Sequence, residues 1–325
     1  MKALQYAGQG RAEIAELPVP SIADDEVLVA ARSVGVCHSD IDLLEGRYII
    51  PFSYPIIPGH EWSGEVVQAG PKVTDLSVGD RVVGECVIGD DHFGFSISGA
   101  AAEFFVAKAS WLHRLPEGIS WTMGALVEPF SVAYYALVRA GGVDASNTVA
   151  VLGAGPIGLA VAAASSAMGA RTVVVEPSAE RRAAASKLGA HHTVAPDAAE
   201  ELLRELTEGR GADVVVEASG RPAVMASALE LVAFQGRIAY IGIDVGQEAP
   251  AKLGLIQSKE LRITGSIGSP GVWQETLRFL AGSGLDLTPL VTERFGVDDA
   301  LAALDTAHHP TPATIKAHIQ FDATL

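Results

Sequence analysis

The sequence predicts an α/β protein made of a β-rich N-terminal part and a doubly wound parallel sheet. Three observations predict it. Residues 1–130 hold short apolar runs between Gly and Pro punctuation. From about residue 130, Ala-rich helical stretches alternate with strands, the pattern of repeated βαβ units. The length of 325 residues suits two domains at about 150 residues each.

In the first part, residues 26–31 and 64–70 read as strands, and 79–84 as a turn entering a third. Turns cluster at Pro18 to Pro20, at Pro51 to Pro58 and at Gly70 and Pro71. In the second part, Thr148–Leu152 and residues 172–176, 213–217 and 237–241 read as strands. Residues 272–281 and 297–307 are amphipathic helix candidates, followed by a β-like stretch at 317–321.

Hydrophobic residues make up 49% and charged residues 19%, enough apolar content for a sizeable core. Lys and Arg number 23 against 39 Asp and Glu, a formal net charge of -16, which argues against nucleic acid and anionic membrane as partners. The 2 cysteines, Cys37 and Cys86, exclude a disulfide framework and a four-cysteine zinc site within the chain. They fit a reducing, cytoplasmic compartment. The N-terminal stretch lacks the apolar core of a signal peptide. Residues 145–170 carry no charge, and a spanning helix needs about 20 apolar residues. Gly153, Gly155, Pro156 and Gly158 would break such a helix at mid-depth. A buried strand, a turn and a buried helix are expected there instead.

Gly153-x-Gly155-x-x-Gly158 follows the strand Thr148–Leu152 and opens, through Pro156 and Ile157, a helix running to about Met168. A second strand then ends in Glu176. In that setting the glycines mark a dinucleotide turn. The first permits the tight turn, the second lets backbone N–H groups approach a pyrophosphate, and the third lets helix and strand pack closely. The helix N-terminus adds partial positive charge, so a strongly acidic protein can still hold an anionic cofactor. Glu176 is placed to accept hydrogen bonds from the adenosine ribose and to repel a 2′-phosphate, which favours NAD over NADP. Arg181 and Arg182 pull the other way, because an arginine there accepts that phosphate. The plain alternative is a Gly-rich turn chosen only for packing.

Cys37, His60, Glu61 and Glu128 form a second constellation. Thiolate, imidazole and carboxylate together suit four-coordinate zinc, and ligands far apart in sequence suit a catalytic rather than a structural ion. Each residue also has a plain reading: Cys37 as a buried apolar thiol, His60 as a turn histidine, Glu128 as a helix-entry carboxylate.

With both constellations in place, the chain resembles the zinc-containing medium-chain dehydrogenases, especially the sorbitol and threonine dehydrogenase branch. The matching motifs run the full length: Gly35-Val36-Cys37-His38-Ser39-Asp40, Pro58-Gly59-His60-Glu61-Trp62-Ser63-Gly64-Glu65-Val66, Val78-Gly79-Asp80-Arg81-Val82, Glu128-Pro129-Phe130-Ser131-Val132-Ala133, Gly153-Ala154-Gly155-Pro156-Ile157-Gly158 and Leu188-Gly189-Ala190. The resemblance implies a GroES-like, partly open β-barrel catalytic domain at residues 1–130, completed by 269–325. It also implies a Rossmann NAD-binding domain at 131–268, inserted between them, with the active site in the cleft. It implies Cys37 and His60 as zinc ligands and Glu61 as a ligand or an alternating one. Glu128 would bind the ion directly or through its water. One catalytic zinc per subunit is expected, because region 84–102 is short, contains only Cys86 and lacks the relatives' lobe of four closely spaced cysteines. Asp42 stands where many relatives have a proton-relay histidine. Leu43 stands where sorbitol dehydrogenases often have a substrate-contacting tyrosine, which argues against sorbitol itself.

The implied activity is hydride transfer between NAD and a secondary alcohol or polyol, giving a ketone or aldehyde. Zinc would act as a Lewis acid on the substrate hydroxyl. Ser39 would pass the alcohol proton to the cofactor ribose, with Asp42 or solvent as the outlet. Asp40 would hold the His60 ring or cap the turn, and His38 would approach the pyrophosphate or face solvent. Ala218, Ile241 and Gly242 at strand ends, with Ser266 and Ile267, would touch the cofactor or serve packing alone. Residues 43–50, Trp111 or its neighbours and Phe130 are expected along the substrate. The expected partners are a small alcohol or ketone and further copies of the chain, in a dimer or tetramer. One rival reading is a zinc-free, NADPH-dependent quinone or enone reductase on the same fold; Cys37, His60 and Glu61 count against it. The other is a non-enzymatic cofactor-binding protein.

Overall fold

An 11-residue strand, Glu26–Val36, organises the first unit of this computed structural model, which describes residues 1–244 and 246–324. That unit comprises Met1–Glu128, Trp273–Gly282 and Val291–Leu325. The strand runs through Arg32 and Ser33, five residues past its expected end at Ala31. Its sequence hides this extension because a charged and a polar residue interrupt the Val-rich run. Seven strands form the sheet. In order they are Val291–Gly296, Lys316–Gln320, Glu26–Val36, Glu61–Ala69, Arg81–Gly84 and Leu112–Arg114, with Phe104–Lys108 also pairing to Glu26–Val36.

The register of this sheet decides the chemistry. Gly35 lies opposite Glu61 on one side and His318 on the other, and Ser33 lies opposite Ser63 and Gln320. Residues directly opposite share a face, and faces alternate along a strand. One face therefore carries Val34, Val36, Trp62 and Ile319, all within the main hydrophobic core. The other carries Ser33, Gly35, Glu61, Ser63, Lys316, His318 and Gln320. Trp62, Phe93 and Phe105 pack beneath the apolar face with ring centroids 4.7 to 5.9 Å apart. Aromatic pairs of this kind add about 0.5–1.5 kcal/mol each beyond area burial.

The second unit comprises Pro129–Val272 and Ser283–Leu290. Its six strands are parallel, in the order His192–Val194, Arg171–Val175, Thr148–Leu152, Ala212–Glu217, Val232–Tyr240 and Arg262–Gly265. The chain reverses direction across the sheet between Thr148–Leu152 and Ala212–Glu217, which makes their carboxyl ends the place where ligands of such sheets bind. Strand Thr148–Leu152 is wholly buried, and the helix Pro156–Ala167 behind it is buried along most of its length. Residues 145–170 thus form a buried strand, turn and helix. No helix among the described residues is long and apolar enough to cross a membrane. The helix expected at 297–307 is a short 3-10 turn, Val297–Asp299, followed by an α-helix, Ala300–His308.

Candidate metal centre and nucleotide pocket

Strand Glu26–Val36 delivers Cys37 to the start of a seven-residue helix, His38–Leu44. Cys37 is the N-cap, and its backbone N–H donates to Asp40 Oδ2 at 2.9 Å, which fixes the turn. His60 directly precedes strand Glu61–Ala69, whose first residue pairs with Gly35. Cys37, His60 and Glu61 consequently each present a ligand atom within 4.8 Å of the others. Sulfur, imidazole nitrogen and carboxylate oxygen are a donor set suited to zinc, and His60 and Glu61 are buried.

The surroundings favour a cation there. Asp40 Oδ1 lies 3.4 Å from His60 Nδ1, leaving Nε2 as the nitrogen available to an ion. Burial opposes charge on His60, but Asp40 and the adjacent Cys37 outweigh it and hold its pKa well above the usual imidazole range. Glu128 stands in the first turn of helix Val127–Arg139. Burial pushes its carboxyl up to about 7; His60 and Lys316 pull it down, while Glu61 and Asp40 push it further up. Glu128 feels these groups but lies outside the tight trio.

Lys316 is a residue of the candidate site that sequence reasoning missed. Its Nζ donates to both Glu61 oxygens at 2.7 Å and reaches the Val36 carbonyl at 3.4 Å. Burial would lower its pKa; Glu61, then Cys37 and Glu128, reverse that and raise it. Beside it, His318 Nδ1 meets Ser33 Oγ at 2.9 Å, and Gln320 Nε2 donates to the same oxygen at 3.0 Å. Burial, with Lys316 and Arg294 nearby, pushes the His318 ring down to about 3, so it is neutral at ordinary pH. The alternation Lys-Ala-His-Ile-Gln at 316–320 carried this signal: three polar side chains on one face of a strand.

Ser39 and His38 occupy the first turn of the same helix, with His38 exposed. Asp42 Oδ1 is ion-paired to Arg47 Nη2 at 3.1 Å. Two expected substrate-lining residues are corrected. Leu43 is fully buried in the hydrophobic core, and Phe130, in the other unit, is fully buried as well. Both are large apolar side chains on helices, and packing claims them. Trp111 also packs against the core, partly buried. The buried Phe95 ring lies beside His60, ring centroids 4.7 Å apart, and Tyr48, one of the expected residues 43–50, stacks on Phe95 at 4.1 Å and 7°. Phe95 comes from the short region 84–102. Burial there pushes the Cys86 thiol up to about 12, which keeps it protonated.

In the parallel-sheet unit, Gly153 has φ 99°. A Cβ at Gly158 would collide with the Gly153 carbonyl, so helix and turn approach as closely as the fingerprint requires. A Cβ at Gly155 would meet open space, and Pro156 starts the helix. A cavity of about 740 Å³ opens at this turn, lined by Gly153, Gly155, Glu176, Arg181, Ala218 and Arg221 among others. Glu176 is buried; its Oε2 accepts from Ala154 N–H at 2.8 Å and its Oε1 from Ser178 N–H at 3.0 Å. Arg182 is occupied by the Glu176 and Pro177 carbonyls. Ile157, Ile241, Gly242, Ser266 and Ile267 do not line this cavity. Arg221, which does, had no motif to announce it.

Comparison with known proteins bears on both sites. The model described as "Alcohol dehydrogenase GroES-like domain" matches residues 23–117, and "Zinc-binding dehydrogenase" matches residues 156–282. The chain is 32% identical to a sorbitol dehydrogenase of Bacillus subtilis, covering 94% of this chain and 93% of that one. Among solved structures, 2R,3R-butanediol dehydrogenase from Bacillus subtilis aligns at TM-score 0.88 and 28% identity, over 99% of each chain. Galactitol-1-phosphate dehydrogenase from Escherichia coli aligns at TM-score 0.87 and 28% identity, over 98% of this chain and 100% of that one. A sulfur, nitrogen and oxygen trio on a GroES-like sheet, and a nicotinamide-nucleotide turn on a parallel one, thus belong to a chain that is a member of the zinc-binding alcohol dehydrogenase family of oxidoreductases.

Proposed function

We propose that the chain oxidises a small secondary alcohol or polyol to its ketone or aldehyde, reversibly, with zinc and NAD. The observation that carries this reading is the convergence of Cys37, His60 and Glu61 ligand atoms within 4.8 Å. Zinc held by Cys37, His60 and either Glu61 or Glu128 would supply Lewis acidity toward a hydroxyl. The chain's own residues do the rest. Asp40 keeps the His60 ring oriented, and Lys316 balances Glu61. Ser39 takes the hydroxyl proton and Asp42 passes it outward. Tyr48, half-buried, offers an aromatic face to the C–H side of the substrate, and the buried Phe95 ring supports it from beneath.

Residues 131–268 serve as the nucleotide domain, and residues 1–130 with 269–325 as the catalytic one. Glu176 supports NAD over NADP, since a 2′-phosphate would meet a buried carboxylate; Arg181 is the feature that opposes it. Gly153, Gly155 and Ala218 are assigned to the pyrophosphate. Ile241, Gly242, Ser266 and Ile267 are assigned to the nicotinamide end. The edge strand Arg262–Gly265, with Ile243, Leu253 and Ile263 exposed nearby, is the surface on which a second copy would dock. Free thiols fit a cytoplasmic protein.

One experiment tests the reading. Purified protein is screened for NAD reduction against polyols, amino alcohols and simple secondary alcohols, alongside metal analysis. The expected result is turnover of at least one class with about one zinc per chain. Turnover of quinones or enones by a metal-free protein would overturn it.

A further inference from the structure

Tyr48 lies face to face on Phe95, and Phe95 lies against the His60 ring. Phe95 is buried and Tyr48 half-buried, so Tyr48 is the outer ring of this stack. Burial, then Cys86, raises the pKa of its phenol; His60 lowers it, and Cys37 and Asp40 add to the rise. The groups that act on the phenol are thus those of the candidate metal centre, and it is a neutral O–H at ordinary pH. That O–H is unspent. Tyr54 gives its own to the Leu43 carbonyl at 2.6 Å, Tyr240 to the Met225 carbonyl at 2.9 Å, and Cys86 turns its S–H to the Phe93 carbonyl at 3.7 Å. Among the described residues Tyr48 Oη has no hydrogen-bond partner, and the atom is open to solvent. A phenol fixed by stacking, with its donor and acceptor sites free, is suited to meet a polar group on a ligand.

We propose that Tyr48 is a specificity-determining residue, whose hydroxyl bonds a second oxygen on the carbon next to the reacting one. The substrate class is then short vicinal diols, oxidised to α-hydroxy ketones. The reacting carbon gives its hydride to NAD and its hydroxyl proton to Ser39, and the second hydroxyl keeps all its atoms. A simple secondary alcohol leaves the phenol without a partner. A hexitol brings further hydroxyls against the aromatic stack, where each would lose water without gaining a bond. The inference rests on the function proposed above and narrows it.

The test compares butane-2,3-diol, butan-2-ol and sorbitol in the full-length, zinc-loaded wild type and in Tyr48→Phe, which keeps the ring and loses the hydroxyl. The kcat/KM ratio of diol to monoalcohol is measured, with zinc content and melting curves alongside. Calorimetry on the NADH-loaded enzyme, which cannot oxidise them, gives the same ratio as dissociation constants. Wild type should favour the diol over both other compounds. In Tyr48→Phe the diol-to-monoalcohol ratio should fall by about ten- to a hundredfold by both measures. A ratio within about twofold of wild type in folded Tyr48→Phe would overturn the assignment. So would a wild type that shows no preference for the diol or favours sorbitol, and that result needs no variant. It would leave the function proposed above standing. Turnover of no alcohol by the zinc-loaded wild type would overturn that function, and this inference with it.

Discussion

The two sites are built in opposite ways. The nucleotide pocket is made largely of backbone and near neighbours in sequence: a glycine turn, a helix start and a carboxylate that grips Ala154 and Ser178. The candidate metal centre is made of side chains brought together by strand register, with Glu61 and its partner Lys316 separated by 255 positions. A local site is robust to distant change and visible as a motif. A register-built site depends on every strand that contributes to it, and its charge balance is invisible until the strands are aligned.

That contrast can be broken or sharpened by substitution. The largest effect is expected for Cys37→Ser. Removing the sulfur ligand should empty the centre and reduce alcohol oxidation by on the order of a thousandfold, while NAD binding survives. Full metal content and full activity in this variant would refute the ligand assignment. Next comes Glu176→Ala in the other region. Losing a charge-assisted hydrogen bond costs about 1.5–3 kcal/mol, so the preference for NAD over NADP should fall by about ten- to a hundredfold. Zinc content should not change. An unaltered ratio of kcat/KM for the two cofactors would remove Glu176 from specificity.

The smallest effect concerns acidity at the metal centre. Glu128 has its pKa raised to about 7 in the fold, against 4.5 ordinarily. Between those values the folded chain keeps a proton that the unfolded chain has lost, so stability falls as pH rises through the window. The metal-free protein should lose several degrees of Tm between about pH 5 and pH 7.5 relative to Glu128→Gln. Calorimetry of the chelated proteins checks this, and parallel curves for the two would count against it.

Much of the fold was legible because the relevant patterns are contiguous. The strand Thr148–Leu152 reads directly from its apolar run, and the dinucleotide turn from its glycine spacing. Cys37, His60 and Glu61 were recognisable by residue type, and the structure brings them together. Lys316 and His318 were not legible as site residues. Each lies in a short strand that reads as ordinary alternation, and only its pairing with residues 33–36 makes the polar face an inner one. Leu43 and Phe130 misled for the converse reason: proximity in sequence to site residues says nothing about which way a helix turns its apolar side chains. Phe95, which stands beside His60, lay in the short region 84–102, where no periodicity guides the eye, whereas Tyr48, stacked on it, fell within the expected residues 43–50.

The late position of Lys316 has a consequence for biogenesis. On the ribosome, the carboxylate of Glu61 is made long before the ammonium group that neutralises it. Until residue 316 emerges and its strand docks, enclosing Glu61 would bury an uncompensated charge. The N-terminal sheet must therefore wait, with this edge hydrated, for a segment encoded far downstream. A translation product halted short of that segment lacks the ammonium group that pairs with Glu61.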